Sequence, residues 1–555
     1  MTAISAPDRA SSRSAVYPPF QDPRTVILSE PRIWMVKGML EALLQIVELE
    51  HDGHPVAVNG FRLRNLQDWV VVFGGRITPS ILLDGLAVGC NVSCRFCYIK
   101  GNPPDWNPRP MPRSTMMDDF VTRFRYYDEE RGRALFRTIV QWYEPFSTPY
   151  ILDALRTIRQ RSQRWIPITT NGKGLTRPIV LELAKLKPLF IVVSLNSSNP
   201  HIRAELMRDR TPEVAIQSLR WLREAEIPFA VSCVPWPSVP LAALKDCLRF
   251  GDSAGAESLR VSLPGYTRYN GAAAGWFDTA QYWGELVAEL GALRAELEAP
   301  ILFYPYLFEE TRHPGPYNQA RVMGVGRNSP AKAAGIRLGD IVLDVGGERV
   351  ISRSHARDLL RKAARLGGDR IVLTVERDGR ALLICMDDVN NHVQYGYPYA
   401  TEHGPSNPII APLGIFMPSG FRRQTLTLLR RAIESARARS VLVATTPLMQ
   451  PLLQEALRES DFFEGLHAEV HFVIPESRFL GGNIMMGDLL TNQDIIDCIS
   501  EFSAAHGRPD LVCLPASMFT PVFGWLRDLN GRYYKEIERA TGVPVRLIQN
   551  EPIAW

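Results

Sequence analysis

The hydrophobic residues between positions 77 and 300 fall into short continuous runs separated by polar and amphipathic stretches. Runs rich in β-branched residues predict strands at 81–83, 136–140, 165–170, 190–195, 229–234 and 259–263. Amphipathic stretches at 151–161, 178–186, 212–226 and 241–250 predict helices between them. Alternating strands and helices favour a parallel sheet, whose strands read as uninterrupted apolar runs because both faces are covered. The pattern therefore predicts an α/β fold.

The remaining parts of the chain show different patterns and predict further domains, as the length of 555 residues requires. Residues 1–75 predict a lead-in followed by a small α+β module, with a helix at 31–50 and two short strands at 56–75. Residues 389–555 predict a C-terminal α/β domain with strands at 441–446, 469–474, 511–515 and 542–546. The predicted domain boundaries are 1–75, 76–300, 316–388 and 389–555.

Composition and charge exclude several classes of protein. Hydrophobic residues make up 46% and charged residues 22% of the chain, which is typical of a globular protein. A net charge of +4 is small for this length and disfavours a nucleic-acid partner. No run of about 18 apolar residues predicts a membrane span. Residues 1–24 lack the apolar core of a signal peptide, so we expect a cytoplasmic protein.

Three cysteines in a short loop carry the clearest chemical signal. Cys90, Cys94 and Cys97 have C-x-x-x-C-x-x-C spacing and follow the first apolar run. Iron–sulfur clusters are held by cysteine thiolates, normally four, so three would leave one iron open for a ligand. Zinc is an alternative, with His51 or His54 as a fourth ligand, although the second ligand pair of a structural zinc site is not found nearby. None of the other five cysteines forms a C-x-x-C pair, so a second cluster is not expected.

This spacing, with the aromatic Phe96 before the third cysteine, resembles the signature of radical S-adenosylmethionine (SAM) enzymes. The resemblance implies a partial (β/α)6 barrel, a 4Fe-4S cluster bound by Cys90, Cys94 and Cys97, and SAM on the open iron. In that family, reductive cleavage of SAM gives a 5′-deoxyadenosyl radical that abstracts hydrogen from a substrate. The resemblance also implies a reducing partner such as flavodoxin or ferredoxin.

The resemblance further implies SAM contacts around the loop and at the ends of the barrel strands, where catalytic residues of such barrels lie. Glu144 resembles the glutamate of the family's Gly-Gly-Glu segment, although Trp142 and Tyr143 replace the glycines. The implied cofactor-binding residues are Phe96, Tyr98, Glu144, Thr169, Asn171, Ser194, Asn196, Arg203 and Leu263. Each polar residue at a strand end is equally consistent with an ordinary turn or helix cap.

Cys233, near the end of the fifth predicted strand, is a candidate catalytic residue. A thiol facing the barrel interior could donate a hydrogen atom to a substrate radical, as in some radical SAM epimerases. The alternative is a buried core cysteine, which is the commoner environment of a free cysteine and is favoured here.

Residues 316–388 resemble a PDZ domain of the bacterial protease type. The resemblance lies in strands at 320–325, 341–350 and 371–377, the Asn328–Asp340 connection and a helix at 355–366. PDZ domains bind extended peptides along a sheet edge and often hold a C-terminal carboxylate. The expected groove lies between the 320–325 strand and the 355–366 helix. The carboxylate-binding loop is not clear at 310–318, so a purely structural PDZ domain is as well supported as a peptide binder.

A Phe-x-Gly-Gly…Gly-x-Leu-Leu-Thr-x-Gln-Asp string at 479–494 resembles the C-terminal domain of unknown function in PDZ-containing radical SAM proteins. In that family the PDZ domain comes first, whereas here it follows the barrel. The double glycine and residues 491–494 predict either part of a substrate pocket or a tight turn followed by a helix N-cap.

Together these features predict a radical SAM enzyme that abstracts hydrogen from a small organic metabolite, leading to rearrangement or to carbon–carbon bond formation or cleavage. Two alternatives stay open. One is a peptide-modifying radical SAM enzyme that recognises its substrate through the PDZ domain. The other is a non-enzymatic iron–sulfur and PDZ adaptor or redox sensor.

Overall fold

The computed structural model describes residues 89–104, 144–163, 165–270, 277–304, 318–366, 370–387, 412–417, 422–519 and 526–548, with a few short strands and single residues before position 121. The short strands are Thr25–Val26 (β1), Glu50–His51 (β2), His54–Pro55 (β3), Ala57–Val58 (β4) and Phe61–Arg62 (β5). The predicted helix at 31–50 and the predicted strand at 136–140 lie outside these residues, apart from Glu50.

Within the described residues, a five-stranded parallel sheet forms the central domain. Its strands are Ile166–Thr170 (β6), Leu189–Ser194 (β7), Phe229–Cys233 (β8), Ser258–Ser262 (β9) and Ile301–Tyr304 (β10), arranged in the order in which they follow along the chain. The sequence predicted the first four of these strands. It did not predict β10, and the only described residue of the strand expected at 81–83, Leu83, is helical.

Helices cover one face of this sheet and fix which side chains point to the other. The described helices of the central domain are Ile151–Arg159, Arg177–Ala184, Pro200–Met207, Pro212–Glu224, Leu241–Ser253 and Thr279–Leu293. Alternate strand residues, such as Val193, Val231 and Val261, are fully buried in the core that these helices share with the sheet. Because side chains alternate across a strand, the intervening residues lie on the opposite face, which we call the inner face.

The PDZ-like domain is built around an antiparallel sheet. Ile341–Val345 (β12), Glu348–Arg349 (β13), Arg370–Arg377 (β14) and Arg380–Asp387 (β15) form it in the order β13-β12-β14-β15. Its helices are Pro330–Ala333 and Arg353–Leu366. Gly324–Val325 (β11) pairs with Ile415–Phe416 (β16), although the predicted domain ended at residue 388.

Residues 412–417 therefore belong to the PDZ-like domain by structure. Leu413, Ile415 and Met417 are buried in its hydrophobic core, and Phe416 between them is buried as well. The strand covers the edge of β11, beside which the sequence analysis had expected a peptide. The edge of the expected groove is thus occupied by the chain itself.

The C-terminal domain is a second parallel sheet, in the order β18-β17-β19-β20. Its strands are Ser440–Ala444 (β17), Glu469–Val473 (β18), Leu511–Pro515 (β19) and Val545–Ile548 (β20), and its helices are Arg423–Ala436, Gln450–Arg458, Asn492–His506 and Lys535–Thr541. All four predicted strands of this domain are present within a few residues.

The two later domains contact opposite ends of the central sheet. In the PDZ-like domain, Arg327 pairs with Asp252 (2.7 Å) and Glu298 (2.5 Å), and Asn328 donates to Glu257; these acidic residues precede β9 and β10. In the C-terminal domain, Leu448 and Met485 pack against Leu263, directly after β9. Among the described helices, none is long and apolar enough to cross a membrane.

Candidate functional site

The cysteine loop is held in place by backbone hydrogen bonds to the end of the helix Pro200–Met207. The backbone N–H of Ser93 donates to the carbonyl of Met207, and that of Arg95 donates to Leu206, both at 2.9 Å. Lys100 folds back over the loop and donates to Ser93 Oγ at 2.5 Å and to the Cys94 carbonyl at 3.3 Å. The loop is therefore anchored at several points rather than free.

Apolar side chains of the loop pack into a small cluster of their own. The side chains of Phe96 and Cys94 pack against this cluster, whose buried members are Leu206, Met207, Trp236 and Tyr266. Phe96 was expected beside SAM, and the structure places it where it anchors the loop. Tyr98, expected at the same site, has 64% of its surface exposed.

The three thiols lie close enough to interact electrostatically. Burial raises the pKa of the Cys94 thiol to about 12, and the neighbouring Cys97 and Cys90 raise it as well. Burial also raises the pKa of Cys90. Such thiols stay protonated until a metal displaces the proton, because metal ligation requires the thiolate.

The three thiols of the loop are a donor set that an iron–sulfur cluster accepts. Within the described residues, no three His, Cys, Asp or Glu side chains converge on a point that one metal ion could occupy. A four-iron cluster does not require such convergence, because each cysteine binds a different iron. Cys90, Cys94 and Cys97 are free thiols, two of them partly buried and one exposed.

Glu144 lies next to this loop and is joined to it through Asn171. Its carboxylate accepts hydrogen bonds from Thr170 Oγ1 and the backbone N–H of Asn171, both at 2.7 Å. The Asn171 side chain donates to Asn91 at 2.7 Å and approaches Cys90 Sγ at 3.5 Å. The structure thus brings together Glu144, Asn171 and the cysteine loop, which are far apart in the sequence.

The environment of Glu144 opposes its ionisation. Burial raises the pKa of this carboxyl to about 7, although donors from Asn171, Thr170 and Phe146 favour the charged form. A cationic ligand nearby would lower the pKa again, since an opposite charge favours the carboxylate.

Arg203 is fully buried, and each of its three guanidinium nitrogens has a partner within the protein. Its guanidinium pairs with Asp209 through Nε and Nη2, at 3.1 and 3.0 Å. It also donates to the carbonyls of Asn171 (2.6 Å), Ser194 (3.0 Å) and Leu195 (2.6 Å). Arg203 therefore ties the end of β6 to the end of β7. A direct bond to the SAM carboxylate would have to replace one of these.

The other residues expected at strand ends occupy varied positions. Thr169 is exposed on the inner face, in register with Val192. Asn196 is buried with φ of 62° and links neighbouring strand ends, donating to the Ser194 carbonyl and accepting from the Val234 N–H at 2.8 Å. The side chain of Leu263 packs between the central and C-terminal domains.

Cys233 lies on the helix-covered face of the sheet. It is fully buried in the main core, and its Sγ lies 3.7 Å from that of Cys247 on the covering helix. A hydrogen donor to a substrate on the inner face would need to point the other way. The structure supports the core interpretation that the sequence analysis favoured.

The turn at 481–483 of the C-terminal domain lies against residues 266–270, and residues 267–270 contact the cysteine loop. The sequence analysis did not predict these contacts. Thr267 Oγ1 donates to the Gly101 carbonyl at 2.5 Å, and Asn270 reaches the Cys97 carbonyl at 3.5 Å. The Arg268 backbone N–H donates to Leu480 at 2.8 Å. No spacing or composition signal marked these residues, since each bond joins distant parts of the chain.

Residues 491–494 were expected either in a pocket or at a helix start. Thr491 caps the helix Asn492–His506 in a capping box with Asp494. The helix-cap interpretation is therefore confirmed for these two side chains.

Comparisons with known proteins follow the same division of the chain. Residues 86–251 match the model of the radical SAM superfamily, and residues 307–385 match that of the PDZ domain. This chain contains a radical SAM domain and a PDZ domain. Both domains agree with the resemblances drawn from the sequence.

No curated protein matches this chain. Among solved structures it is similar to SuiB of Streptococcus suis, with 17% identity over 39% of this chain and 46% of that chain, at a TM-score of 0.29. It is also similar to SuiB bound to the precursor peptide SuiA, with 18% identity over 49% of this chain and 60% of that chain, at a TM-score of 0.30. For SuiB bound to S-adenosylmethionine, the identity is 19% over 31% of this chain and 40% of that chain, at a TM-score of 0.25. The chain thus spans less than two thirds of each of these structures.

Proposed function

We propose that this chain is a radical SAM enzyme that binds one 4Fe-4S cluster through Cys90, Cys94 and Cys97. The observation that carries the proposal is the joining of the cysteine loop to Glu144 through Asn171, within a chain segment that matches the radical SAM model. When bound, the cluster and SAM would supply a 5′-deoxyadenosyl radical that abstracts hydrogen from the substrate.

The residues around the loop have distinct tasks in this proposal. Glu144 would accept hydrogen bonds from the ammonium group of SAM, because a buried carboxylate gains most from a charged donor. Asn171 would orient both Glu144 and Cys90 through the bonds that it already makes. Arg203 would act as a positioning residue that keeps the ends of β6 and β7 together.

For the substrate we favour a peptide over a small metabolite, because the chain contains a PDZ domain and PDZ domains bind extended peptides. The Pro412–Gly414 turn precedes β16, packs against the helix Arg353–Leu366 and has positive φ at Leu413 (76°) and Gly414 (82°). We propose this turn as the carboxylate-binding loop that the sequence analysis did not find. A peptide would then lie along Ile415–Met417.

Recognition and chemistry would be separated in this arrangement. The PDZ domain contacts the starts of the central strands, whereas the cysteine loop and Glu144 lie at their ends. Five strand residues span about 17 Å. A peptide would therefore be anchored at a distance from the residue that reacts.

Anaerobic reconstitution of the full chain with iron, sulfide, reductant and SAM tests the activity. We expect about four irons per chain and formation of 5′-deoxyadenosine, both lost in Cys94→Ala. Cys385→Ala is the matched control, because Cys385 is an exposed thiol of the PDZ domain. A reconstituted cluster without any 5′-deoxyadenosine would favour the adaptor or redox sensor instead.

The substrate class needs a separate experiment. A library of peptides with free carboxyl termini is panned on the reconstituted chain, beside the same library with amidated termini. Enrichment of the free-carboxyl peptides alone supports the peptide proposal. Equal recovery of both libraries, or of neither, would favour a small metabolite as the substrate.

A further inference from the structure

The inner face of the central sheet carries a row of polar residues across three neighbouring strands. Ser194 of β7 is in register with Ser232 of β8, and Ser232 is in register with Arg260 of β9. Leu259 and Val261, on either side of Arg260, are fully buried on the helix-covered face. Arg260 therefore projects from the inner face, as alternation along a strand requires.

Arg260 lacks the partners that the buried arginines of this domain have. Within the described part of the chain it forms neither an ion pair nor a hydrogen bond, and its Nε is buried without an acceptor. By contrast, Arg203 bonds to Asp209 and three carbonyls, and Arg294 donates to the Ile301 carbonyl at 2.9 Å. A buried donor without an acceptor costs free energy, and a ligand that accepts a hydrogen bond from it would recover that cost.

We propose that Arg260 binds a carboxylate group of the substrate on the inner face. The guanidinium fork matches the two oxygens of a carboxylate, and a partly desolvated site strengthens the pair. The proposal deepens the proposed function and rests on it for the identification of the ligand as the substrate. For a peptide, the carboxylate would be an acidic side chain near the reacting residue.

The position of Arg260 favours the substrate over SAM as the source of that carboxylate. Glu144, Thr170 and Asn171, where we place the SAM contacts, lie at the end of β6. Arg260 lies three strands away in the sheet order β10-β9-β8-β7-β6. At about 4.8 Å per strand this is about 14 Å, so Arg260 is well separated from the groups that we assign to SAM.

The test measures binding to the full reconstituted chain by calorimetry, with glutarate, its neutral diamide glutaramide, and inorganic phosphate as probes. We expect glutarate to bind at least about tenfold more tightly than glutaramide or phosphate. Arg260→Met should remove this difference, and Arg260→Lys should keep part of it, because an ammonium keeps the charge but lacks the planar fork. Arg220→Met is the matched control, since Arg220 is an exposed arginine on an outer helix of the same domain.

Two further measurements separate this role from others. The ligand-free Arg260→Met protein should melt no lower than the wild type, because the substitution removes an unpaired charge; a lower melting temperature would show a structural role and overturn the proposal. A loss of SAM affinity equal to the loss of glutarate affinity would assign Arg260 to SAM instead. Glutarate binding needs no SAM cleavage, so failure of the proposed activity is distinguishable from failure of this site.

Discussion

Asn483 and Tyr266 form two hydrogen bonds across the contact between the C-terminal domain and the radical SAM domain. The Tyr266 N–H donates to Asn483 Oδ1 at 2.8 Å, and the Asn483 N–H donates to the Tyr266 carbonyl at 3.1 Å. The next residue, Thr267, bonds to Gly101 at the end of the cysteine loop. Docking of the C-terminal domain and order in the cysteine loop are therefore connected by adjacent residues.

Gly482→Ala should prevent this docking. A Cβ on Gly482 would overlap the Tyr266 carbonyl oxygen, and the backbone there has φ of 72°. We expect faster hydrogen–deuterium exchange at residues 93–101 and at 266–270 in the full chain. The amides of Leu511–Pro515 should stay protected, since that strand lies in the core of the C-terminal domain.

Gly531→Ala is the control for backbone strain alone. Gly531 has nearly the same φ, 76°, in the same domain, and a Cβ added there would have no atom within 4 Å. It should leave the exchange at 93–101 unchanged. Faster exchange at 266–270 without any change at 93–101 would show that docking does not order the cysteine loop.

Glu144→Gln should weaken SAM binding by about tenfold, since a hydrogen bond to a charged group contributes roughly 1.5–3 kcal/mol. The amide keeps only one of the two oxygens that accept from Thr170 and Asn171, and it loses the charge that would face the SAM ammonium. Calorimetry with SAM on the reconstituted chain measures the effect. Glu226→Gln, at a surface carboxylate that is 89% exposed, is the control. Equal affinities for SAM in the wild type and Glu144→Gln would contradict the assigned role.

Arg203→Met should destabilise the fold by about 3–5 kcal/mol, because it removes the closest cation from the buried Asp209 and leaves only Lys173, at 3.8 Å. The substitution also removes the donors to Asn171, Ser194 and Leu195. Urea unfolding followed by circular dichroism gives the free energy of unfolding. A loss of less than about 1 kcal/mol, together with lost SAM binding, would favour a direct contact with SAM over the positioning role.

Asp488 should make the stability of the C-terminal domain depend on pH. Burial raises the pKa of this carboxyl to about 7, although Ser517 nearby favours the charged form, and neither of its oxygens accepts a well-formed hydrogen bond. The folded state therefore binds the proton more tightly than the unfolded state. The stability that this proton contributes is fully present near pH 4 and is lost as the pH rises to about 7.

Asp488→Asn should remove most of this dependence. We expect the variant to unfold at a higher temperature than the wild type at pH 8, with a much smaller difference at pH 5, in thermal melts at several pH values. A variant that is equally destabilised at both pH values would show that the carboxylate has a structural partner.

Local patterns made much of the architecture predictable. Alternation of apolar runs with amphipathic stretches indicated β6 to β9 and all four strands of the C-terminal domain, because burial on both faces leaves a continuous apolar signature. A strand as short as Ile415–Phe416 is too short to show alternating apolar and polar residues, so its pairing with β11 was not predicted. Cys233 was ambiguous for a similar reason, since one residue of register decides which face it occupies.

The sequence by itself determined the cysteine loop, because its three cysteines lie within eight residues and their spacing is a local property. It also indicated Glu144, through its resemblance to a family motif, and Asn171, through its position at the end of a predicted strand. Only the tertiary structure decided which groups meet. The bond between Tyr266 and Asn483 joins residues 217 positions apart, and Arg260 differs from Arg203 only in what the fold places around it. Hydrogen-bond partners and unpaired charges depend on three-dimensional neighbours, which no periodicity along the chain records.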